Sequence, residues 1–233
     1  MTSILIGNTL LSGRFLERNN RFLCNVEIDG RETAVHLHDP GRLRELLVPG
    51  ARVIVREEKS PRRKTGYDMV GIYHHDTVVS CDTRVPNRLI KKALEERALP
   101  EIQGYSTIVP EFTIGHSRLD FCLDSTILLE VKGVSLVING RAIFPDAPTQ
   151  RGRKHLETLM TAAHTGFTCY VLFLIQRPDA HSFSPNTHTD PLFSETLVKA
   201  VDEGVILLVY TSEFLGNHMY LRDRIAAVHL PGR

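Results

Sequence analysis

The sequence predicts an α/β (α+β) protein that combines an N-terminal β-barrel with a C-terminal domain built on a mixed sheet. Up to about residue 82, short apolar runs alternate with turn residues, whereas helical and strand patterns alternate after that point. The 233 residues are 42% hydrophobic and 24% charged, which is ordinary for a globular chain with a substantial core. We therefore expect two domains, residues 1–83 and 84–233.

The first half is expected to form about five short strands. Asp29-Gly30 favours a two-residue hairpin between the first two, because both turn positions tolerate positive φ. The five strand-like runs are 21–28, 32–38, 51–58, 67–75 and 77–81. A small helix is predicted within 41–50, where leucines recur at helical spacing. This order resembles a barrel of the OB type, which often binds oligonucleotides or sugars, although a fold alone assigns no function.

The second half reads as α-β-β-β-α-β-α-β, which predicts a mixed sheet covered by helices. Helices are expected at 87–99, at 149–166 with Thr149 as the N-cap, and from Asp190-Pro191 to Gly204. Strands are expected at 105–114, 118–123, 126–137, 167–175 and 205–211. The segment 177–189 contains Pro178 and Pro185 and is expected to be the longest irregular stretch.

Composition excludes several classes of protein. The net charge is only +1, so any binding of nucleic acid must depend on local basic clusters such as residues 56–64. The four cysteines stand singly, which argues against a zinc module or a disulfide framework. No segment has the pattern of a signal peptide or a membrane span, so we expect a cytoplasmic protein. A homo-oligomer is left open.

Asp120, Glu130 and Lys132 stand inside runs that otherwise look like buried strands. A short turn after residue 123 would pair the two strands and bring Asp120 near Glu130, while Glu130 and Lys132 leave the same face of the sheet. Two carboxylates at one point suit a hard cation such as Mg²⁺ (or Mn²⁺), and the Val131 carbonyl is a further candidate ligand. A structural Glu–Lys ion pair beside an unrelated aspartate is the alternative.

A metal held by these acids would support phosphodiester hydrolysis, with the lysine orienting water or neutralising developing charge. We therefore assign catalytic roles to Asp120, Glu130 and Lys132. Glu96, on the inward side of the first helix, is a candidate for a third metal ligand. Glu111, on the preceding strand, is its rival.

Seven segments of the sequence point to a known family. They are "RFLCNVEIDGRE", "PGRLRELLVPG", "NRLIKKAL", "SRLDFCL", "LLEVKGVSLV", "FPDAPTQRGRKHLETL" and "DPLFSETLVKAVDEGV". Along nearly its whole length the chain resembles the sugar fermentation stimulation protein A (SfsA) family, and the D…ExK residues resemble the core of the PD-(D/E)xK nucleases. Where many members have an Asn-Thr-Gly turn, this chain has Asp39-Pro40-Gly41.

The resemblance implies an OB-like N-terminal domain, a PD-(D/E)xK nuclease-like C-terminal domain and DNA binding without sequence preference. It also implies a bacterial or archaeal cytoplasmic protein with a proposed regulatory role in the use of sugars, especially maltose. Two alternatives therefore stay open beside hydrolysis. One is a non-catalytic DNA-binding regulator, and the other is a barrel that binds a sugar or another small effector.

Basic residues supply the candidate contacts to DNA. Arg151, Arg153 and Lys154 crowd the start of the second predicted helix, where free backbone N–H groups also favour a phosphate. In the barrel half the candidates are Arg42, Arg44, Arg62, Arg63 and Lys64. Aromatic residues are few and tryptophan is absent, so we expect binding dominated by phosphate contacts and sensitive to salt. A solvated helix face or turn is the alternative for each cluster.

Overall fold

The computed structural model describes residues 1–58 and 63–228. Its helices are α1 (Val85–Glu95), α2 (Gln150–His164) and α3 (Pro191–Asp202). The strands of the first part are β1 (Ser3–Leu5), β2 (Leu10–Asn20), β3 (Leu23–Ile28), β4 (Arg31–Leu37), β5 (Arg52–Glu57), β6 (Tyr67–His74) and β7 (Thr77–Ser80). Those of the second part are β8 (Ile108–Ile114), β9 (Ser117–Leu123), β10 (Ile127–Val134), β11 (Val137–Ile138), β12 (Arg141–Phe144), β13 (Thr168–Ile175), β14 (Ser182–Pro185), β15 (Ile206–Leu215), β16 (His218–Arg224) and β17 (Ala226–Ala227).

The first half forms a closed barrel of five strands, which confirms the predicted OB-type fold. The strands run in the order β4-β3-β2-β5-β6, and β4 closes the barrel by pairing with β6. The prediction omitted β2 and counted β7, which only adds to the edge of β6. β2 was missed because Gly13 occupies an inward position, where a Cβ would lie 2.5 Å from Val26 Cγ1. A glycine there permits close strand packing but removes the apolar signal that marks a strand.

The small helix predicted within 41–50 is wrong. Only a turn forms at 44–46, and Leu43 has a φ of 46°, outside the helical region. Leu43 and Leu46 are nevertheless buried in the barrel core. Their spacing therefore reflects contacts with the barrel interior and not a helical face.

A seven-stranded mixed sheet organises the second half, in the order β1-β16-β15-β13-β10-β9-β8. Its centre, β10-β13-β15, is parallel, and its flanks are antiparallel. The core on one face includes α1, and the core on the other includes α2 and α3. The predicted N-caps form, since Thr149 accepts a hydrogen bond from Gly152 N–H at 3.0 Å and Asp190 accepts one from Phe193 N–H at 2.9 Å.

Several short strands were not predicted. β1 pairs with β16, so the first residues of the chain lie in the C-terminal sheet and not in the barrel. A second sheet, β11-β12-β14-β17, includes part of the segment 177–189 that we expected to be irregular. Strands of two to four residues carry too little periodicity to be recognised from sequence. Within the described residues, no helix is long and apolar enough to cross a membrane.

A buried aspartate joins the barrel to α1. Asp68 on β6 is fully buried and accepts hydrogen bonds from Arg56 Nη2 at 2.9 Å and from Arg84 Nη2 at 3.1 Å. It also contacts Arg63 and, at 3.0 Å, His38 Nε2. Burial alone would raise the pKa of the Asp68 carboxyl, but these cationic neighbours hold it well below its ordinary value. Because Arg84 is also the N-cap residue of α1, this cluster fixes where the helix begins.

A second junction lies between the β4–β5 loop and the segment before α2. The backbone N–H of Arg42 donates to Asp146 Oδ2 at 2.8 Å across the two halves. Asp39 lies beside this contact, is 7% exposed and accepts a hydrogen bond from Gly41 N–H at 2.8 Å. Burial raises the pKa of Asp39 to about 6, and the charge of Asp146 adds to the rise.

The raised pKa of Asp39 predicts a stability that falls as the pH rises. Because the folded-state pKa lies above the ordinary value of 3.8, the stability present at pH 4 is lost as the pH rises through about 6. Asp39→Asn keeps an acceptor for Gly41 N–H without a charge, and should raise the free energy of unfolding at pH 7.5 by up to about 3 kcal/mol. Urea unfolding at pH 4 and 7.5 measures this. Asp76→Asn, at an exposed site, is the control, and parallel curves for wild type and Asp39→Asn would contradict the prediction.

Candidate functional site

The site lies where two paired strands separate. β9 and β10 pair from Leu123↔Ile127 to Phe121↔Leu129, and the same register would place Asp120 opposite Glu130. The ladder stops there. Asp120 Oδ2 instead accepts a hydrogen bond from the backbone N–H of Val131 at 2.7 Å. The aspartate therefore replaces a backbone acceptor at the opening of the strands, and the structure brings together the residues that the hairpin pattern predicted to meet.

Asp120 is held from the α1 side as well. Asn87 Nδ2 donates to Asp120 Oδ1 at 2.6 Å, so each carboxylate oxygen has one donor. Burial and, after it, the negative charge of Glu130 raise the pKa of Asp120 to a net value of about 6. The two hydrogen bonds and the charge of Lys132 offset only part of this effect. A neighbouring cation would stabilise the ionised form of Asp120.

Glu130 is 2% exposed and lies on the α2 side of the sheet. Its Oε1 atom accepts hydrogen bonds from Lys132 Nζ and from His155 Nδ1. Burial opposes ionisation, but these two partners hold the pKa of Glu130 below its ordinary value. Oε2 is buried and has no hydrogen-bond partner among the described residues. Glu130 is thus a charged carboxylate with one oxygen left to bind a ligand.

His155 connects Glu130 to the surface of α2. Arg151 Nε lies 3.4 Å from His155 Nε2, and the arginine can only donate. His155 Nε2 is therefore the acceptor, and Nδ1–H is the donor to Glu130. The sequence prediction missed both His155 and Asn87. The available signal for His155 was its inward position beside Leu156 and Leu159, since a histidine on an apolar face needs a polar partner.

The other predicted metal ligands are placed differently. The Val131 carbonyl faces the Asp120 side of β10, because the N–H and C=O of one strand residue point the same way. Glu96 is not part of the site. It lies at the C-terminal end of α1, where it binds Thr2 Oγ1 at 2.7 Å and Lys92 Nζ at 3.0 Å.

Of the two candidates for a third metal ligand, Glu111 lies nearer to Asp120 than Glu96 does. The β8–β9 register places it opposite Asp120, but it is exposed and lies 3.5 Å from Arg118 Nη1. Within residues 1–58 and 63–228 no group of three or more His, Cys, Asp or Glu side chains is arranged to hold a metal ion. Any cation at this site would therefore be held by Asp120, Glu130 and the Val131 carbonyl, with water or substrate completing its shell.

The basic residues predicted to contact DNA fall into two groups. Arg151, Lys154, Arg42, Arg44 and Lys64 are exposed. Two others are already paired, Arg153 with Asp190 at 3.1 Å and Arg63 with Asp68. Arg62 lies outside the described residues. A cavity of about 550 Å³ beside the first turns of α2 is lined by Gln150, Arg151, Arg153, Lys154 and Glu157, so this surface is concave as well as basic.

Together the fold and site define a two-domain protein in which a closed OB barrel is joined to a mixed α/β domain that carries a carboxylate–lysine cluster. Residues 16–81 match the family model "SfsA N-terminal OB domain", and residues 84–217 match "Sugar fermentation stimulation protein RE domain". The chain belongs to the sugar fermentation stimulation protein (SfsA) family.

Relatives match along most of the chain. A sugar fermentation stimulation protein homolog of Caldanaerobacter subterraneus subsp. tengcongensis is 39% identical over 228 residues, which are 97% of this chain and 100% of the relative. A homolog of Desulfitobacterium hafniense is 43% identical over 204 residues, 86% of this chain and 88% of the relative. A solved structure, "The structure of Pyrococcus Furiosus SfsA in complex with Ca2+", has a TM-score of 0.89 at 28% identity and covers 97% of this chain and 99% of that one.

The contact between His155 and Glu130 should stabilise the fold. His155→Phe removes the donor from a buried carboxylate, and we expect the free energy of unfolding at pH 7 to fall by about 1–3 kcal/mol. His164→Phe, at an exposed position of the same helix, should change it by less than about 0.5 kcal/mol. Urea unfolding followed by circular dichroism measures both. Equal effects of the two substitutions would show that Glu130 does not depend on His155.

Proposed function

We propose that this chain is a DNA-binding, divalent-metal-dependent phosphodiester hydrolase whose reacting groups are Asp120, Glu130 and Lys132. The observation that carries the proposal is the opening of β9 from β10, which places two carboxylates together beside one ammonium. In a continuous strand pair, the backbone and side chains at this point would be less accessible to a ligand. Beside this opening, Glu130 Oε2 is buried and has no hydrogen-bond partner within residues 1–58 and 63–228.

The donor set fits a hard divalent cation. Two carboxylates and a backbone carbonyl are oxygen ligands, which Mg²⁺ and Mn²⁺ prefer. Burial and, after it, repulsion by Glu130 raise the pKa of Asp120, and a bound cation would offset both effects. The Pyrococcus furiosus relative, named as a complex with Ca²⁺, shares this fold and gives further support. We therefore assign Mg²⁺ or Mn²⁺ to Asp120, Glu130 and Val131.

The side chains around the carboxylates have distinct roles in the proposed reaction. When bound, the cation would polarise a phosphoryl oxygen and lower the pKa of an attached water. Lys132, whose ammonium contacts Glu130 and is partly exposed, neutralises charge on the phosphoryl group. Asn87 and His155 are positioning residues, since each holds one carboxylate by a hydrogen bond. Arg151 and Lys154 at the start of α2 bind flanking phosphates.

DNA is the substrate that the surface chemistry favours. The exposed candidate contacts lie on both halves of the molecule: Arg151 and Lys154 at the start of α2, Arg42 and Arg44 between β4 and β5, and Lys64 shortly before β6. Because the net charge of the chain is only +1, its affinity for DNA would come from these local cations, which displace counterions from phosphates. Binding should therefore be weakly dependent on sequence and should decrease steeply with salt.

A second candidate function is DNA binding without turnover, as in a regulator. The observation that favours it is the saturation of Glu130 Oε1, which already binds both Lys132 and His155. A lysine that remains paired with Glu130 is less available to a phosphoryl group. The two candidates share the DNA-binding surface and differ only in whether the metal site hydrolyses the strand.

Nicking of supercoiled plasmid separates these two candidates. With Mg²⁺ or Mn²⁺ the wild type should convert plasmid to the open circle, because all three reacting groups are present. Asp120→Asn and Lys132→Met should each reduce the rate at least about 100-fold. Asp76→Asn, at the exposed turn between β6 and β7, serves as the control purified in parallel and should keep the wild-type rate. Equal nicking by the wild type and Asp120→Asn would trace the activity to a contaminating nuclease.

Metal binding itself should depend on pH. Because Asp120 has a pKa of about 6, a cation must displace its proton at lower pH, and the affinity for Mn²⁺ should be roughly tenfold weaker at pH 5 than at pH 7.5. Calorimetry with Mn²⁺ alone measures this without any substrate. Asp120→Asn should bind weakly, with little change between the two pH values. A pH-independent affinity in the wild type would mean that Asp120 is not a ligand.

A further inference from the structure

The barrel carries a groove that the proposed hydrolytic site does not use. It has a volume of about 530 Å³ and is lined by Asn20, Phe22, Leu23, His36, His38, Arg63, Lys64 and Thr65. We call it the stacking groove. It lies between the turn that joins β2 to β3 and residues 63–65, with β3 and β4 as its floor. On OB barrels this position, between two loops and a sheet face, is where extended polymers are held.

The floor of the stacking groove is aromatic. Phe22 is 46% exposed and is the only phenylalanine among the exposed large apolar side chains of the described residues. Its ring is stacked on that of His36, with centroids 6.2 Å apart and an interplanar angle of 17°. The rings of His36 and His38 form a T-shaped pair with centroids 4.2 Å apart, so the three rings form one aromatic cluster. Because aromatic residues are few, the sequence predicted only a thin stacking platform, with Phe22 among its candidates.

The aromatic surface is held in place before any ligand binds. Phe22 N–H donates to Asn20 Oδ1 at 2.9 Å, and Phe22 C=O accepts from Leu37 N–H at 3.0 Å. His38 is fixed from below by Asp68. Because the backbone that carries the exposed Phe22 ring is already fixed, little conformational entropy is lost when a flat ligand stacks on the ring.

The charge of the groove complements a phosphate chain. Among the described residues that line it there is no acid, whereas Arg63 and Lys64 stand at one rim. Asp68, which neutralises part of this charge, is fully buried behind His38. Burial lowers the pKa of His36, and its neighbour His38 lowers it further, so the neutral form of the His36 ring is favoured. Cations at the rim and the rings of Phe22 and His36 on the floor match the alternation of phosphates and bases.

We propose that the stacking groove binds single-stranded nucleic acid, with an unpaired base stacked on Phe22 and His36 and its flanking phosphate at Lys64. A duplex buries the faces of its bases and cannot use the rings, so the groove selects unpaired strands. The choice of DNA as the polymer rests on the proposed function, but the stacking contact does not require hydrolysis. Single-strand binding by the barrel and cleavage at Asp120 can therefore fail independently.

Fluorescence anisotropy tests the proposal in an Asp120→Asn background, which prevents cleavage. The probes are a labelled 15-nucleotide oligothymidylate and a 15-base-pair duplex at the same salt concentration. Phe22→Ala should weaken binding of the single strand at least about tenfold and binding of the duplex less than threefold. Phe22→Tyr should keep the affinity, because it keeps the ring. Leu192→Ala, at an exposed apolar position on α3, should leave both affinities unchanged.

A second probe changes the DNA and leaves the protein intact. An oligonucleotide of the same length with abasic sites keeps every phosphate but has nothing to stack, and should bind at least about tenfold more weakly than oligothymidylate. Equal binding of the abasic and normal strands, or equal losses for single strand and duplex in Phe22→Ala, would overturn the proposal. Failure of the wild type to nick plasmid, with this preference for bases intact, would overturn only the hydrolytic function.

Discussion

The architecture of the site depends on one constraint, the cost of burying two carboxylates side by side. If the register of β9 and β10 continued, it would place Asp120 opposite Glu130, and the ladder would offer their charges no compensation. The strands separate at this point, and Asp120 takes the backbone N–H that the ladder gives up. On the other face of the sheet, Glu130 is compensated separately by Lys132 and His155.

The helices on both faces of the central sheet contribute side chains that hydrogen-bond to the two carboxylates of the site. α1 on one side supplies Asn87 to Asp120, and α2 on the other supplies His155 to Glu130. Neither contact involves residues close in the chain, since 33 and 25 positions separate the partners. The buried Asp68 cluster extends this arrangement to the barrel, because Arg84 both binds Asp68 and begins α1. The barrel thereby sets the start of the helix that orients Asp120.

Buried acids also decide which basic residues are free to bind a polymer. Arg153 is held by Asp190, which at the same time caps α3, and Arg63 is held by Asp68. Arg151 and Lys154 remain exposed on α2, and Lys64 remains exposed on the barrel. A count of arginines and lysines therefore overestimates the binding surface. A cation is available to bind phosphate only if no carboxylate from a distant part of the chain already pairs with it.

The sequence by itself determined the features that depend on neighbouring residues: the hairpin at Asp29-Gly30, the caps Thr149 and Asp190, and the meeting of Asp120, Glu130 and Lys132 across a short turn. Only the tertiary structure decided that β1 joins the C-terminal sheet, that Leu43 turns into the barrel instead of forming a helix, and that Glu96 binds Thr2 away from the site. It also assembled Phe22, His36 and His38 into one surface. The reason is physical. Alternation and capping are fixed by local backbone geometry, whereas the partner of a side chain on a packed face depends on which distant residue the fold places next to it.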